Sequence, residues 1–425
     1  MDLIIENTED ISGKVSPLPS KFQTQYATII ALLADGESVI HSPLIVDDTR
    51  ELAKAVEKMG GTTKRSKTKW KIWGNEKEIQ PTSQVTDAKK SIMSLSLLSA
   101  VSSLTSRIMI STCKAQLRDL PVPTLIQNLL EVGMDIHSVN WDEKPPLVIF
   151  ESEIEGGEIS FDEDGDPRFI PAPLLLTPFA QEEVEIVSYP QKSPRYVDSS
   201  LKMLEKSGIE VSKEDKKIKI SKGEYEPIEI TPSLDMFSTL PYITGALITT
   251  SELEIEEIEQ SSNLEELKDL LDDLNLEYET DEETLTVNEN SNLDSFKIEL
   301  EQHPGTLPFL AVLACKADGK TEIRKAERAR KMKSDRIKGI VEGLSKLGAD
   351  IEENEDGITV KGPSKLIGNE VDGYHDPALV SALGVAGLIA EGKTQVKNRA
   401  ETLRQTYPEF VTLFKELGAE MSYST

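Results

Sequence analysis

Cysteine and histidine are nearly absent from this 425-residue chain, which holds only Cys113 and Cys315 and the four histidines His41, His137, His303 and His375. The two cysteines lie in different halves, with no neighbouring thiol or imidazole. A disulfide framework is therefore excluded, and no HExxH or paired-histidine spacing offers a zinc or non-haem iron centre. Two buried free thiols in a reducing compartment are expected. Long apolar runs are missing too: Ala378 to Ala390 (ALVSALGVAGLIA) is too short to cross a bilayer and reads as a buried helix. The opening MDLIIENTEDISGK lacks the basic-then-apolar order of a signal peptide, so a cytoplasmic protein is expected. Neither a phosphate-binding P-loop nor a dinucleotide GxGxxG turn occurs, and no cofactor or metal is expected.

Positive charge is also scarce, with 47 Lys and Arg against 75 Asp and Glu and a formal net charge of −28. Such a surface repels nucleic acid and anionic membrane, which makes both poor partners. Acidic stretches such as Ser251 to Leu274 read as solvated helix faces and turns.

Repetition is what the chain has in abundance. Amphipathic helices end at Gly60, Gly133, Gly208, Asn275, Gly348 and Gly418, about 70 residues apart, a period that marks a repeat architecture. Gly, or Asn in its place, fits because the residue after the last turn must adopt a left-handed conformation. Beyond the stops lie hairpin patterns such as GTTKRSKTKWKIWG and ADIEENEDGITVKG, and before them apolar helix and strand patterns such as TLPFLAVLACKADGKTEI. The repeat reads as helix, strand, helix, strand, turn, strand. The sixth copy stops at EMSYST without its second strand, while the chain opens with a lone strand, MDLIIE. Because an unpaired edge is a liability, the N-terminal strand is expected to complete the last copy. Residues 19–232 then form one domain of three repeats, and residues 1–18 with 233–425 form a discontinuous second one. The crossings are expected at SPLPSK (Ser16 to Lys21) and EYEPIEITPSLD (Glu224 to Asp235).

Six such units in two domains, one of them discontinuous, resemble the enolpyruvyl transferases, and among them those acting on a phosphorylated shikimate. The phrases PSKFQTQYATIIALLADGESVIHSPLIVDDT, HPGTLPFLAVLACKADGKTEI, ARKMKSDRIKGIVEGLSKLGADI and VAGLIAEGKTQVKNRAETLRQTYPEFVTLFKELGAEM carry the resemblance along essentially the whole chain. It implies an α/β (α+β) fold, a two-domain inside-out α/β barrel. It also implies a reaction with phosphoenolpyruvate in a cleft between the domains, where helix N-termini, Lys and Arg hold phosphates and carboxylates.

Carried over residue by residue, the resemblance leaves few family groups in place. Lys21 matches the family lysine, whereas Phe22 and Tyr26 replace a serine and an arginine. Asp87-Ala88-Lys89-Lys90-Ser91 stands in the Gly-Thr segment with Met93 for its arginine, Leu120-Pro121 replaces an Arg-Pro pair, and Asp166-Pro167-Arg168 replaces a Ser-Ser-Gln. Ser193 and Tyr196 match. Gly305 stands at the general-base position, Met332 and Lys333 replace Lys and Glu of a signature that keeps Ser334, Asp335 and Arg336, and Asp376-Pro377-Ala378 replaces Asp-His-Arg. Gln405, next to Arg404, takes the place of a final lysine. Lys21, Ser193, Tyr196, Asp335 and Arg336 are the expected ligand-binding residues, and no catalytic residue can be assigned. Lys89, Lys90, Arg168, Arg330, Lys333 and Arg404 are candidates for further anion contacts.

Several features carry two readings. Arg324 to Lys338 gathers eight basic residues against Glu327 and Asp335, either an anion site or a solvated loop and first helical turn. Lys89, Lys90 and Arg168 suit a bulkier anion or an ordinary surface. Phe22 and Tyr26 could stack on a ligand ring, but aromatics at helical spacing favour core. Cys113, five residues before Arg118, resembles the cysteine loop of the UDP-N-acetylglucosamine enolpyruvyl transferases, yet the register requires an indel and a buried strand cysteine fits better. The related RNA cyclases share the repeat, so RNA binding is a further reading, supported by the basic segment and opposed by the net charge.

Each lost acid or base costs about 10²–10⁴ in rate, and each lost charged hydrogen bond about 1.5–3 kcal/mol of anion binding. The expectation is a family scaffold that binds an anionic small molecule, phosphorylated or phosphoenolpyruvate-like, with the standard transfer weakened, altered or lost. The alternative is a catalytically silent binding or assembly protein with a protein partner.

Overall fold

All six helix stops have positive φ, from 52° at Asn275 to 103° at Gly60 and Gly418, so each helix ends in the left-handed turn that its Gly or Asn permits. They belong to a computed structural model that describes residues 1–424 apart from 75–78, 164, 191–194, 215–216, 257, 259–261, 282, 289–292 and 399. The chain divides into two compact units, Pro19–Pro232 and Met1–Leu18 with Ser233–Thr425. Each has its own apolar core.

Among the described residues there are six four-stranded sheets, and all share one plan. A short strand runs parallel to a second, which is antiparallel to a third, itself antiparallel to a fourth. In the Pro19–Pro232 unit, for example, Val85–Asp87 lies beside Met109–Thr112, then Leu147–Ile149, then Ile136–Ser138. The short parallel strand is one more than the repeat read from sequence. These extra strands run from two residues (Glu229–Ile230) to four (Gly157–Ser160), too short for alternation to register. In the last sheet Leu3–Ile5 takes the third place, with Leu3 opposite both Val396 and Tyr423. Glu229–Ile230 likewise closes the sheet of Glu37–His41.

The helices of each repeat play two roles. Lys21–Leu33, Ile92–Ser102, Leu307–Lys316 and Pro377–Ala386 are buried on nearly every face, as helices without a polar side must be. Asp47–Lys58, Pro123–Glu131 and Arg336–Lys346 are amphipathic and half covered. One contact fixes the geometry of the second unit. A Cβ at Gly339 would fall 2.4 Å from Leu379 Cδ1 and one at Gly343 2.5 Å from Leu383 Cδ2, so the two glycines, one turn apart, let helix Arg336–Lys346 lie directly on Pro377–Ala386.

Candidate functional site

That close approach brings the starts of two helices together. Arg336, the first residue of its helix, donates from Nε to Asp376 Oδ2 (2.8 Å) and from Nη2 to Asp376 Oδ1 (3.0 Å). Asp376 is fully buried and Arg336 nearly so. The carboxylate also accepts from Ser334 Oγ (3.0 Å) and from the main-chain N–H of Ala378 (3.0 Å), which it caps. A doubly held guanidinium keeps one edge free to point elsewhere. Arg336 Nη1 faces the Gly305 carbonyl at 3.5 Å and Met332 Sδ at 3.4 Å. Tyr407, half-buried nearby, has its hydroxyl pushed well above the usual phenol range, first by loss of hydration and then by Asp235, with Arg336 opposing.

Asp335 caps the same helix by accepting from Lys338 N (3.0 Å) and is ion-paired with Arg330 (3.1 Å). Arg330 also contacts Glu353 (2.7 Å) and donates to the carbonyls of Asn354 and Glu355. Those contacts anchor the basic segment to the hairpin of Asp350–Asn354 and Gly357–Gly362, the structural side of its two readings. Asp235 caps helix Met236–Thr249 through Ser238 N (3.0 Å). Three helix N-termini in this unit thus carry carboxylates, which satisfy the dipole from within. Lys333 and Arg404 are exposed, and the Arg404 guanidinium lies 5.4 Å from the centre of the Tyr423 ring.

The Pro19–Pro232 unit is built differently. Ser20 caps helix Lys21–Leu33 by accepting from Gln23 N (3.3 Å), and Ser91 caps Ile92–Ser102 by accepting from Ser94 N (3.1 Å). Gln25 Nε2 reaches from the first helix to Ser91 Oγ (3.0 Å) and Ser94 Oγ (2.8 Å), tying two neutrally capped N-termini together. Lys21 opens the first helix and pairs with Asp48 (3.1 Å). Phe22 stands edge-on to Tyr196 at 5.2 Å and beside Tyr26 at 5.4 Å. Tyr26 is fully buried and belongs to the core. Tyr196 is within electrostatic reach of Arg168, whose Nε lies 3.0 Å from Asp166, the cap of the turn Pro167–Phe169.

Lys89 holds a left-handed φ of 54°. Asp87 stabilises that turn, accepting from Lys89 N (2.9 Å) and Lys89 Nζ (2.6 Å). Lys90 is exposed and, among the described residues, has no ion-pair partner. The structure therefore sets Tyr196 against Phe22 with Arg168 in electrostatic reach of Tyr196, and places Lys21 at the start of the first tied helix and Lys89 and Lys90 ahead of the second. Ser193 lies outside the described residues. Cys113 is 2% exposed, and burial pushes its thiol up to about 11. Arg118 Nε donates to the Cys113 carbonyl (2.9 Å), so the pair is a main-chain brace. Among the described residues no group of three or more His, Cys, Asp and Glu could hold a metal ion, and no helix is long and apolar enough to cross a membrane.

Sequence reasoning passed over Gln25, Asp376 as a ligand of Arg336, and the acid caps. Asp before an apolar run is a readable N-cap signal, present at Asp235, Asp335 and Asp376. Gln25 has no such signal, since its partners lie 66 and 69 residues away.

Two solved structures define the class. The fold is that of the EPSP synthase from Acinetobacter baumannii, with a TM-score of 0.89 and 21% identity over 100% of both chains. It is also that of the enolpyruvyl transferase NikO from Streptomyces tendae, with a TM-score of 0.82 and 18% identity over 100% of this chain and 99% of that one. This is the two-domain inside-out α/β fold of the enolpyruvyl transferases. The sequence profile of EPSP synthase (3-phosphoshikimate 1-carboxyvinyltransferase) matches residues 5–414, and the chain belongs to that family. Its relatives include the 3-phosphoshikimate 1-carboxyvinyltransferases of Methanocaldococcus jannaschii, 30% identical over 99% of each chain, and Halobacterium salinarum, 31% identical over 96% of this chain and 97% of that one.

Proposed function

We propose that this EPSP synthase family member holds a small phosphorylated anion at the tied helix N-termini of the Pro19–Pro232 unit, and that it no longer transfers the enolpyruvyl group at the rate of an intact enzyme. The binding half rests on the pairing of Ser20 and Ser91 caps through Gln25. Neutral caps leave main-chain N–H groups and the positive helix ends available to an anion. Lys21, Lys89 and Lys90 add full charge beside them, and Tyr196 and Arg168 supply further donors.

The loss of transfer rests on Gly305, which stands where the family resemblance puts the general base. Enolpyruvyl transfer must move protons onto the enol carbon and off the attacking hydroxyl. Glycine offers no side chain for either step. Asp376 cannot substitute, because its oxygens are taken by Arg336, Ser334 and the Ala378 N–H.

The test pairs phosphate release from shikimate 3-phosphate and phosphoenolpyruvate with thermal shift by each compound. Stabilisation by a phosphorylated ligand is expected, with turnover about 10²-fold or more below that of an intact relative. Turnover at the relative's rate overturns the loss of transfer. A flat thermal-shift panel overturns the binding site and favours the catalytically silent assembly reading, which draws support from the carboxylates already facing Lys21, Arg168, Arg330 and Arg336.

A further inference from the structure

Trp141 is 80% exposed, the one large apolar side chain among the described residues for which solvent is nearly the whole environment. It sits in the turn joining Ile136–Ser138 to Leu147–Ile149, and the turn is firmly built. Trp141 N donates to the Ser138 carbonyl (3.1 Å), Val139 N to the Pro146 carbonyl (2.9 Å), and the Ser138 hydroxyl to Asp142 Oδ1 (2.7 Å). Val122 N donates to the Glu143 carbonyl (2.8 Å), which fastens the turn to the start of helix Pro123–Glu131. Both Trp141 (59°) and Glu143 (58°) have left-handed φ. Residues other than glycine adopt that conformation only where surrounding contacts impose it, and such positions concentrate at functional sites. One side of the indole is supported by His137, whose ring centre lies 5.2 Å away.

The surroundings are acidic. Asp142 and Glu143 follow Trp141, and Asp135 holds His137 at 2.8 Å. The Ser138 hydroxyl holds the Asp142 carboxyl below the usual carboxylate range. Lys144 is the only Lys or Arg in the 135–146 segment. A rigid, preplaced tryptophan is the kind of residue that anchors an interface, because little ordering is left to occur on binding.

We propose that the Trp141 turn docks a basic polypeptide segment of a partner protein, with an arginine guanidinium lying on the open face of the indole and the flanking carboxylates pairing with further basic side chains. Guanidinium groups stack on indole faces more readily than other cations, and a desolvated contact of this kind has measurable affinity. A second copy of this chain is a poor occupant, since both copies carry the −28 charge. The site is independent of the anion-binding reading and uses none of its residues.

A tetra-arginine peptide is the probe, titrated against the full chain in about 0.15 M salt, where long-range attraction is screened. Binding is followed by the peptide's effect on indole emission and by calorimetry. Trp141→Ala is expected to weaken binding about five-fold or more, and Trp141→Phe much less. Glu143→Gln should weaken it, while Glu352→Gln, which removes one exposed carboxylate in the other unit, should not. Equal affinity of wild type and Trp141→Ala, or equal loss from the two glutamine variants, would mean that bulk acidity alone holds the peptide and overturns the proposal. Circular dichroism confirms that each variant is folded, as expected for substitutions of exposed side chains.

Discussion

Arg336 and Asp376, forty residues apart in sequence, meet edge to edge through contacts of 2.8 and 3.0 Å. Removing one partner of a buried pair leaves the other charge uncompensated, at a cost of about 3–5 kcal/mol. Asp376→Ala is therefore expected to be strongly destabilised in urea or thermal unfolding. Replacing both residues by apolar ones of similar size is expected to recover much of the loss, and a double-mutant cycle measures the coupling. An Asp376→Ala chain as stable as wild type would remove the pair from any account of this fold.

The helix contact beneath that pair is testable separately. Gly343→Ala puts a methyl group 2.5 Å from Leu383 Cδ2 in a fully buried setting. Overpacking of this kind costs about 1–3 kcal/mol. The helix-propensity gain of alanine over glycine, about 1 kcal/mol, offsets part of it. A net loss of stability, read by chemical denaturation, is the expected sign.

Both thiols give a pH dependence whose sign is fixed. Burial raises Cys113 to about 11 and Cys315 to about 12, against about 8.5 in an unfolded chain. The folded state keeps its thiol protons where the unfolded state has released them, so their contribution is complete below about pH 8.5 and is lost as pH rises toward 12. Cys113→Ala should make the alkaline fall in stability shallower. A thiol reagent near pH 8 should react with neither cysteine in the native protein and with both after denaturation.

Lys21→Ala and Lys89→Ala probe the anion site. Their ion pairs with Asp48 and Asp87 are half-buried and reached by solvent, so unliganded stability should move by about 1 kcal/mol or less. Stabilisation by shikimate 3-phosphate should fall by about 1.5–3 kcal/mol per lost charged hydrogen bond. An unchanged ligand shift in both variants would move the site away from these helix starts.

Much of this architecture is legible in the amino-acid sequence, for identifiable reasons. A left-handed stop needs Gly or Asn at one position, so Gly60 through Gly418 mark the repeats openly. The lone strand at Leu3–Ile5 and the missing second strand of the sixth copy are likewise visible as complementary features. The parallel strand of each sheet is not, because three residues such as Val85–Asp87 carry no period. The site is legible in its residue types and obscure in its pairings. Lys21 with Asp48, or Arg336 with Asp376, are contacts set by how helices from different parts of the chain are laid together, and neither partner's neighbourhood in sequence names the other.

The strand Leu3–Ile5 has a consequence for how the protein is made. Its two neighbours, Thr394–Lys397 and Met421–Tyr423, are synthesised long after it, whereas the sheets of the Pro19–Pro232 unit have all their strands once Glu229–Ile230 has emerged. At about 5–20 residues per second, the first strand waits roughly ten to forty seconds longer for its partners. During that interval the side chains of Leu3 and Ile5, fully buried in the folded chain, stand on an unpaired apolar edge.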